Sequence, residues 1–119
     1  MKAKIVLIDG CRTPFLRSET DFLNTMTYEL GQLAIKGLLN NNGVSPKNID
    51  SVIMGCVIST LKTSNLAREA ALTAGLPYST PCHTVSQACI SANRAIATAI
   101  GEIATGQSSV VIAGGADSA

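Results

Sequence analysis

The sequence predicts an α/β fold in which elements in the order βαβαβαβ build a largely parallel sheet. Four short stretches rich in β-branched residues alternate with three stretches whose apolar residues recur at helical spacing. The connections between them are short, so right-handed crossovers onto parallel strands give the simplest topology. Neither an internal repeat nor a Gly/Ser-rich linker divides the 119 residues, and we expect one domain.

The composition argues against several classes of function. A net charge of +1 gives no electrostatic basis for binding nucleic acid or an anionic membrane. Only 3% of the residues are aromatic, which leaves few platforms for base stacking, and no apolar run is long enough to span a bilayer. Charged residues make up 14% of the chain, whereas roughly 25% is usual in soluble domains. We therefore expect the chain to be part of a larger buried assembly.

The first predicted strand is the apolar run at residues 3–9 (AKIVLID). Because the run is nearly continuous, it is typical of a strand covered on both faces. It is too short for the apolar region of a secretory signal, which favours a cytoplasmic protein. The first helix follows an irregular loop, with Thr25 or Thr27 as its cap and residues 40–43 (NNNG) as its stop.

The remaining elements continue the alternation. In order, they are a strand at 49–57, a helix at 66–74 capped by Ser64 or Asn65, a strand at about 82–86, a helix from Cys89 to Gly106, and a strand at 108–113. The last of these helices is apolar on nearly all sides, so we expect it to lie buried between two layers. The chain stops just after a strand, as a fragment of a larger domain would.

Cys89 is the candidate nucleophile. It stands at the predicted start of the alanine-rich helix, where free N–H groups and the positive end of the helix dipole favour a thiolate. An inert, buried structural cysteine is the alternative at such a position, and the position alone leaves that alternative open. The other three cysteines form no C-x-x-C pair, and a single histidine cannot complete a zinc site, so we expect neither disulfides nor a bound metal.

The other chemistry-bearing residues give weaker signals. If residues 83–88 are extended, His83 lies up to ~20 Å from Cys89 and cannot serve as its base. Gly114 and Gly115 follow no phosphate-loop pattern and favour tight packing against the third helix. Arg12 and Arg68 are candidates for holding an anion, although surface or interface roles are more common for such residues. Asp117, a single acid near the end of the chain, carries little weight.

Four motifs together resemble the thiolase family. Residues 85–93 (VSQACISAN) are similar to the acyl-enzyme cysteine signature of thiolases. Residues 12–15 (RTPF), 62–72 (KTSNLAREAAL) and 113–116 (AGGA) resemble the N-terminal, second-helix and strand-end motifs of the family. The four occur in family order and span nearly the whole chain. Residues 62–72 and the CISAN run resemble most closely the fatty-acid-oxidation branch, which contains the thiolase subunits of trifunctional complexes.

The resemblance implies that residues 1–119 are an incomplete N-terminal thiolase domain of a 3-ketoacyl-CoA thiolase. Cys89 would attack the ketone carbon of a 3-ketoacyl-CoA, expel acetyl-CoA and form an acyl-thioester, from which coenzyme A would take the acyl group. Coenzyme A is thus a co-substrate, and no further cofactor is implied. The family fold, two similar α/β halves with the cysteine helices in the middle, implies a homo-oligomer or pairing with a separate C-terminal half.

The sequence also departs from the family pattern. The Gly-His-Pro and Cys-x-Gly-Gly-Gly motifs, which carry the activating histidine and the second acid/base cysteine, do not occur in it. Most of the loop domain and most of the coenzyme A contacts would also lie beyond Ala119. We therefore expect no appreciable thiolase turnover from this chain alone. Three alternatives stay open: a ketoacyl- or hydroxymethylglutaryl-CoA synthase, a flavodoxin-like nucleotide-binding or interaction domain, and a non-catalytic assembly module.

Overall fold

The computed structural model describes residues 4–118 and has three helices and three strands within that range. In chain order they are α1 (Thr27–Asn42), β1 (Ser51–Gly55), α2 (Leu66–Thr73), β2 (Cys82–Val85), α3 (Ser91–Ala104) and β3 (Val111–Gly115), with a 3₁₀ turn at Pro46–Asn48 before β1. The strands form one sheet in the order β2-β1-β3, and both neighbouring pairs are parallel. The predicted α/β class with a parallel sheet is confirmed.

The helices cover the two faces of the sheet. Side chains of the central strand β1 alternate between the faces, as the two-residue period of a strand requires. Val52 and Met54 pack into a cluster with α1 and α2, whereas Ile53 packs against Ala95 and Ala99 of α3. All five residues of β1 are buried, so this strand is the centre of the hydrophobic core.

The ends of α1 and α2 follow local signals in the sequence. Gly43 has a φ of +67° and donates its N–H to the carbonyl of Leu39, a left-handed helix stop that glycine adopts without strain. The Asn65 side chain accepts the N–H of Arg68 at 3.2 Å and caps α2 as predicted. The predicted threonine cap of α1 is wrong, because Met26 occupies the capping position and donates its N–H to the Glu29 carboxylate at 2.7 Å.

The predicted first strand is not formed by residues 4–9, and residue 3 lies outside the described residues. The segment lines a cavity of about 190 Å³ together with residues 110–112, and it does not enter the hydrogen-bonded sheet. Val6, Leu7 and Ile8 are 62%, 92% and 71% exposed, so they are not covered on two faces. An apolar run acquires strand structure only where a neighbouring backbone supplies its hydrogen bonds.

Other bounds differ as well: the strand predicted at 49–57 spans only Ser51–Gly55, and α3 ends at Ala104. Two of the differences have a visible cause. Helix α3 begins at Ser91 rather than at Cys89, because Ala88 has a φ of +45° and Ile90 is outside the helical region. The last strand begins at Val111, since the N–H groups of residues 109 and 110 donate to the Asp50 carboxylate at 2.8 and 3.0 Å. These two bonds hold the pKa of Asp50 below its ordinary value.

The expected burial of the cysteine-bearing helix on all sides is also not observed in this chain. Ser91, Ala95 and Ala99 form the buried face of α3. On the opposite side, Ile96 and Ile100 are 47% and 46% exposed. The sheet covers α3 from one direction, and nothing in residues 4–118 covers it from the other.

Candidate active site

Cys89 lies where the carboxyl ends of the three strands converge. It is exposed and lines an open cavity of about 250 Å³. The walls of this cavity come from the ends of β1 and β3, the first residues of α3, and Asp117. The carboxyl ends of parallel strands are the usual place for a ligand in open α/β sheets. The structure thus puts the predicted nucleophile at the position where this fold class binds small molecules.

The Cys89 turn, residues 87–91, links β2 to α3. The Ser91 hydroxyl accepts the N–H of Gln87 at 2.7 Å and donates to the carbonyl of Ala88 at 2.6 Å. Backbone bonds from Ile90 to Gln87 and from Ser91 to Ala88 close the same turn. The turn reverses the chain tightly, and Cys89 stands two residues before the helix.

The first turn of α3 lies almost directly on the sheet. A Cβ added at Gly55 would come within 2.6 Å of the nitrogen of Ala92, and one at Gly115 would come within 3.1 Å of the Ala92 side chain. At Gly55 only a residue without a side chain allows this approach, and at Gly115 a Cβ would require the neighbouring atoms to shift by a few tenths of an ångström. The predicted role of Gly115 in tight packing against the third helix is confirmed, whereas Gly114 makes ordinary contacts with Met54.

Asp117 ties two strand ends together beside Cys89. One of its carboxylate oxygens accepts the N–H groups of Val57 and Ile58 at 2.9 and 2.8 Å. The Cys56 thiol donates weakly to the same oxygen at 3.5 Å. The loop after β1 and the loop after β3 are thereby held in one arrangement, and they form one wall of the cavity.

The four cysteines occupy different environments. Cys56 is buried, and this burial together with the Asp117 carboxylate raises the pKa of its thiol to about 11. Burial also raises the pKa of Cys82, against an opposing effect from Arg68. Cys11 and Cys89 are both exposed. Of these two, Cys89 lies in the cavity at the strand ends, whereas Cys11 lines a separate one with Arg12 and Phe15.

The remaining candidates have other surroundings. His83 lies within β2, an edge strand, and is not among the residues that line the Cys89 cavity. The Arg68 guanidinium donates to the carbonyls of Thr80 and Tyr78 at 2.9 and 2.8 Å and so fastens the loop before β2. The Arg12 guanidinium lies 4.4 Å from the centre of the Phe15 ring. Within residues 4–118, no group of three His, Cys, Asp or Glu side chains could hold a metal ion, and no helix is long and apolar enough to cross a membrane.

Sequence reasoning missed Ser91 and gave Asp117 little weight, although both residues shape the site. The i to i+4 spacing of Gln87 and Ser91 is a local signal for a hydroxyl that accepts a backbone N–H at a helix start. No comparable signal exists for Asp117, because its partners lie 59 and 60 residues earlier in the chain. Only the pairing of β1 with β3 brings them together.

Comparison with known families gives a match over nearly the whole chain. The model of the family described as "Thiolase, N-terminal domain" matches residues 5–119. The bovine (Bos taurus) protein named "Trifunctional enzyme subunit beta, mitochondrial" is 51% identical over 113 residues, which are 95% of this chain and 24% of that protein. A "Probable 3-ketoacyl-CoA thiolase" of Caenorhabditis elegans is 48% identical over 113 residues, 95% of this chain and 25% of that protein.

More distant relatives agree with these two. A "3-ketoacyl-CoA thiolase" of Aliivibrio fischeri is 36% identical over 115 residues, which cover 97% of this chain and 26% of that protein. The crystal structure of the Bacillus anthracis acetyl-CoA acetyltransferase superimposes with a TM-score of 0.76 at 36% identity, over 80% of this chain and 24% of that one. The chain spans about a quarter of the length of the curated relatives it matches.

Proposed function

Because this chain belongs to the thiolase family, we propose that it supplies the acyl-accepting nucleophile of a 3-ketoacyl-CoA thiolase, an acyl-CoA C-acyltransferase, and that this nucleophile is Cys89. One observation carries the assignment. Cys89 is an exposed cysteine at the cavity where the carboxyl ends of β1, β2 and β3 converge. Cys56 and Cys82 are partly or fully withdrawn from solvent, and burial raises the pKa of both thiols.

The proposed reaction has two steps. In the first, the Cys89 thiolate attacks the C3 ketone carbon of a 3-ketoacyl-CoA, and the bond between C2 and C3 breaks. The electron pair of that bond stays on C2, which takes a proton and leaves as acetyl-CoA, while the acyl group remains on Cys89 as a thioester. In the second step, the thiolate of coenzyme A attacks this thioester, so acyl-CoA forms and the Cys89 thiolate is released.

The described residues supply part of this chemistry. The first N–H groups of α3 follow the Cys89 turn, and N–H groups at a helix start can stabilise the negative charge of a developing oxyanion. The lining of the Cys89 cavity includes no histidine or lysine within residues 4–118. One oxygen of the Asp117 carboxylate accepts two backbone N–H groups. A histidine that accepts the thiol proton would have to come from outside this cavity lining, and a lack of turnover by this chain alone stays a prediction.

The wider biological assignments are proposals of the same kind. The names of the relatives support fatty-acid β-oxidation as the process, acyl-CoA and coenzyme A as substrates, and a subunit within an oligomer as the state of the protein. The exposed apolar side of α3 is consistent with an assembled state. A cytoplasmic location stays a prediction from the sequence.

Stoichiometric acyl transfer tests the assignment without the missing groups. Incubation with acetyl-CoA lets the Cys89 thiolate attack the acetyl carbonyl and expel the coenzyme A thiolate. We expect the acetyl mass on the Cys89 peptide, one coenzyme A thiol released per acetyl group bound, and removal of the label by hydroxylamine. We expect Cys89→Ser to abolish this labelling. Cys11→Ser removes the other exposed cysteine and should leave the labelling unchanged. Acetylation of Cys11 as fast as Cys89, or no acetylation of the folded chain, would contradict the proposal.

A further inference from the structure

We propose that Ser91 is a positioning residue for Cys89: its hydroxyl holds the Cys89 turn closed and so fixes the cysteine at the start of α3. The proposal rests on the proposed function in that it takes Cys89 as the nucleophile. It assigns to Ser91 no contact with the substrate. The role follows from three features of the turn, namely the burial of the hydroxyl, the backbone conformation of Ala88, and the seat of α3 on the sheet.

The Ser91 hydroxyl is buried and fully used within the turn. Ser91 is only 3% exposed. Its oxygen accepts the N–H of Gln87 and its proton goes to the carbonyl of Ala88, at 2.7 and 2.6 Å. A hydroxyl has one proton to donate and two lone pairs that accept. The Ser91 side chain can therefore bond to the Gln87 N–H, which precedes Ala88, and to the carbonyl of Ala88 at the same time. Removing the hydroxyl leaves the Gln87 N–H, which lies in a part-buried place, without this partner.

The conformation of Ala88 requires such a restraint. Its φ of +45° lies in the left-handed region, which is disfavoured for any residue that carries a Cβ. Of the non-glycine residues described, only Glu19 shares a positive φ. A strained residue keeps its conformation only where surrounding contacts fix it. The two bonds of the Ser91 hydroxyl lie on either side of the Ala88 φ angle and oppose its relaxation.

Because the start of α3 packs directly on the sheet, this local restraint also restrains Cys89. The backbone of Ser91 and Ala92 lies against Gly55 so closely that a Cβ there would overlap it. The end of the turn is thus anchored to the central strand, and β2 anchors its beginning through the pairing of Val85 with Gly55. Cys89 lies between these two fixed points, so the orientation of its side chain depends on the turn that the Ser91 hydroxyl closes. A second contact, from the Arg94 guanidinium to the Gln87 side chain at 2.6 Å, is exposed to water and holds less firmly.

Hydrogen exchange combined with cysteine labelling tests the role of Ser91. In Ser91→Ala we expect protection of the Gln87 amide to fall about fivefold or more, the equivalent of one neutral hydrogen bond. Labelling of Cys89 by iodoacetamide, expressed relative to Cys11 in the same sample, should slow by a similar factor because the thiol leaves the start of α3. Ser91→Thr keeps the hydroxyl and should restore both readouts. Thr98→Ala is the matched control, since it removes a hydroxyl of the same helix that bonds to Arg94 outside the turn.

The Ala88→Gly background separates positioning from a general loss of stability. Glycine adopts a positive φ without strain, so the turn should depend less on Ser91 there. We expect Ser91→Ala to slow the labelling of Cys89 less than half as much in Ala88→Gly as in the natural background. If Ser91→Ala alone does not fold, a folded double variant supports the role of Ser91, and a double variant that also fails to fold overturns it. Two further outcomes would overturn the positioning role. One is an equal slowing of Cys89 labelling in both backgrounds, and the other is unchanged Cys89 labelling in a Ser91→Ala variant whose Gln87 amide has lost its protection from exchange. Failure of Cys89 to accept an acetyl group from acetyl-CoA would refute the proposed function and leave these turn readouts valid.

Discussion

At the scale of single residues, Cys56 and Cys89 differ in their surroundings. Cys56 and Cys89 both lie near the carboxyl end of β1, yet one is buried beside the Asp117 carboxylate and the other is open to the cavity. Water stabilises a thiolate, whereas an apolar surrounding and a neighbouring negative charge oppose it. The sequence singles out Cys89 by its place before the third helix and by the motif around it, but it carries no signal that Cys56 is buried beside Asp117.

Cys56 should make the stability of the chain depend on alkaline pH. Its thiol has a pKa of about 11 in the folded chain, against an ordinary value of 9.0. The folded state therefore holds this proton over a range in which the unfolded chain releases it. The contribution to stability is complete below pH 9 and declines as the pH rises from 9 through 11. Urea unfolding at pH 8, 9, 10 and 11 measures this decline, and Cys56→Ala should reduce its slope. Identical slopes for the two proteins would contradict the assigned pKa.

At the scale of elements, the site depends on how closely α3 approaches the sheet. Gly55→Ala places a Cβ against the backbone of Ser91 and Ala92, and backbone atoms cannot move aside as a flexible side chain does. We expect a loss of about 2–3 kcal/mol in the free energy of unfolding, as in other overpacked cores, and slower labelling of Cys89. Chemical denaturation of the variant gives the first value and peptide mass spectrometry the second.

Gly101→Ala is the matched control for this prediction. Gly101 lies on the same helix, and nothing lies within 4 Å of a Cβ added there. Alanine is the better helix former by about 0.5–1 kcal/mol, so this variant should be slightly more stable than the natural chain. A Gly55→Ala variant as stable as Gly101→Ala would show that the contact of α3 with β1 is not tight.

Local and non-local signals explain which elements could be predicted from the sequence. Gly43 and Asn65 act within a few residues of their own positions, and the helix bounds that depend on them were predictable. Residues 3–9 have strand composition, but a strand also needs a partner, and none joins residues 4–9 in the sheet. The start of α3 at Ser91 was missed because a positive φ at an alanine has no signature in the sequence.

At the scale of the whole molecule, the expectation of an assembled protein has a structural counterpart. A low proportion of charged residues was the evidence in the sequence, and in the structure several apolar side chains lie open to solvent on two surfaces. One surface is the outer side of α3, with Ile96 and Ile100, and the other is the segment around Leu7. The assignment of Cys89 as nucleophile rests on the thiolase-like signature and stays a prediction, whereas the role of Asp117 depends on contacts between distant parts of the chain.

The most direct test of the central claim is competitive alkylation of all four cysteines in the folded chain near neutral pH, read by peptide mass spectrometry. Our account predicts that Cys89 reacts faster than Cys11, Cys56 and Cys82. A pKa of about 11 should slow Cys56 roughly a hundredfold relative to an ordinary thiol, through its smaller thiolate fraction. Labelling of Cys11 at the same rate as Cys89 or faster would contradict the claim that the turn before α3 presents an activated nucleophile.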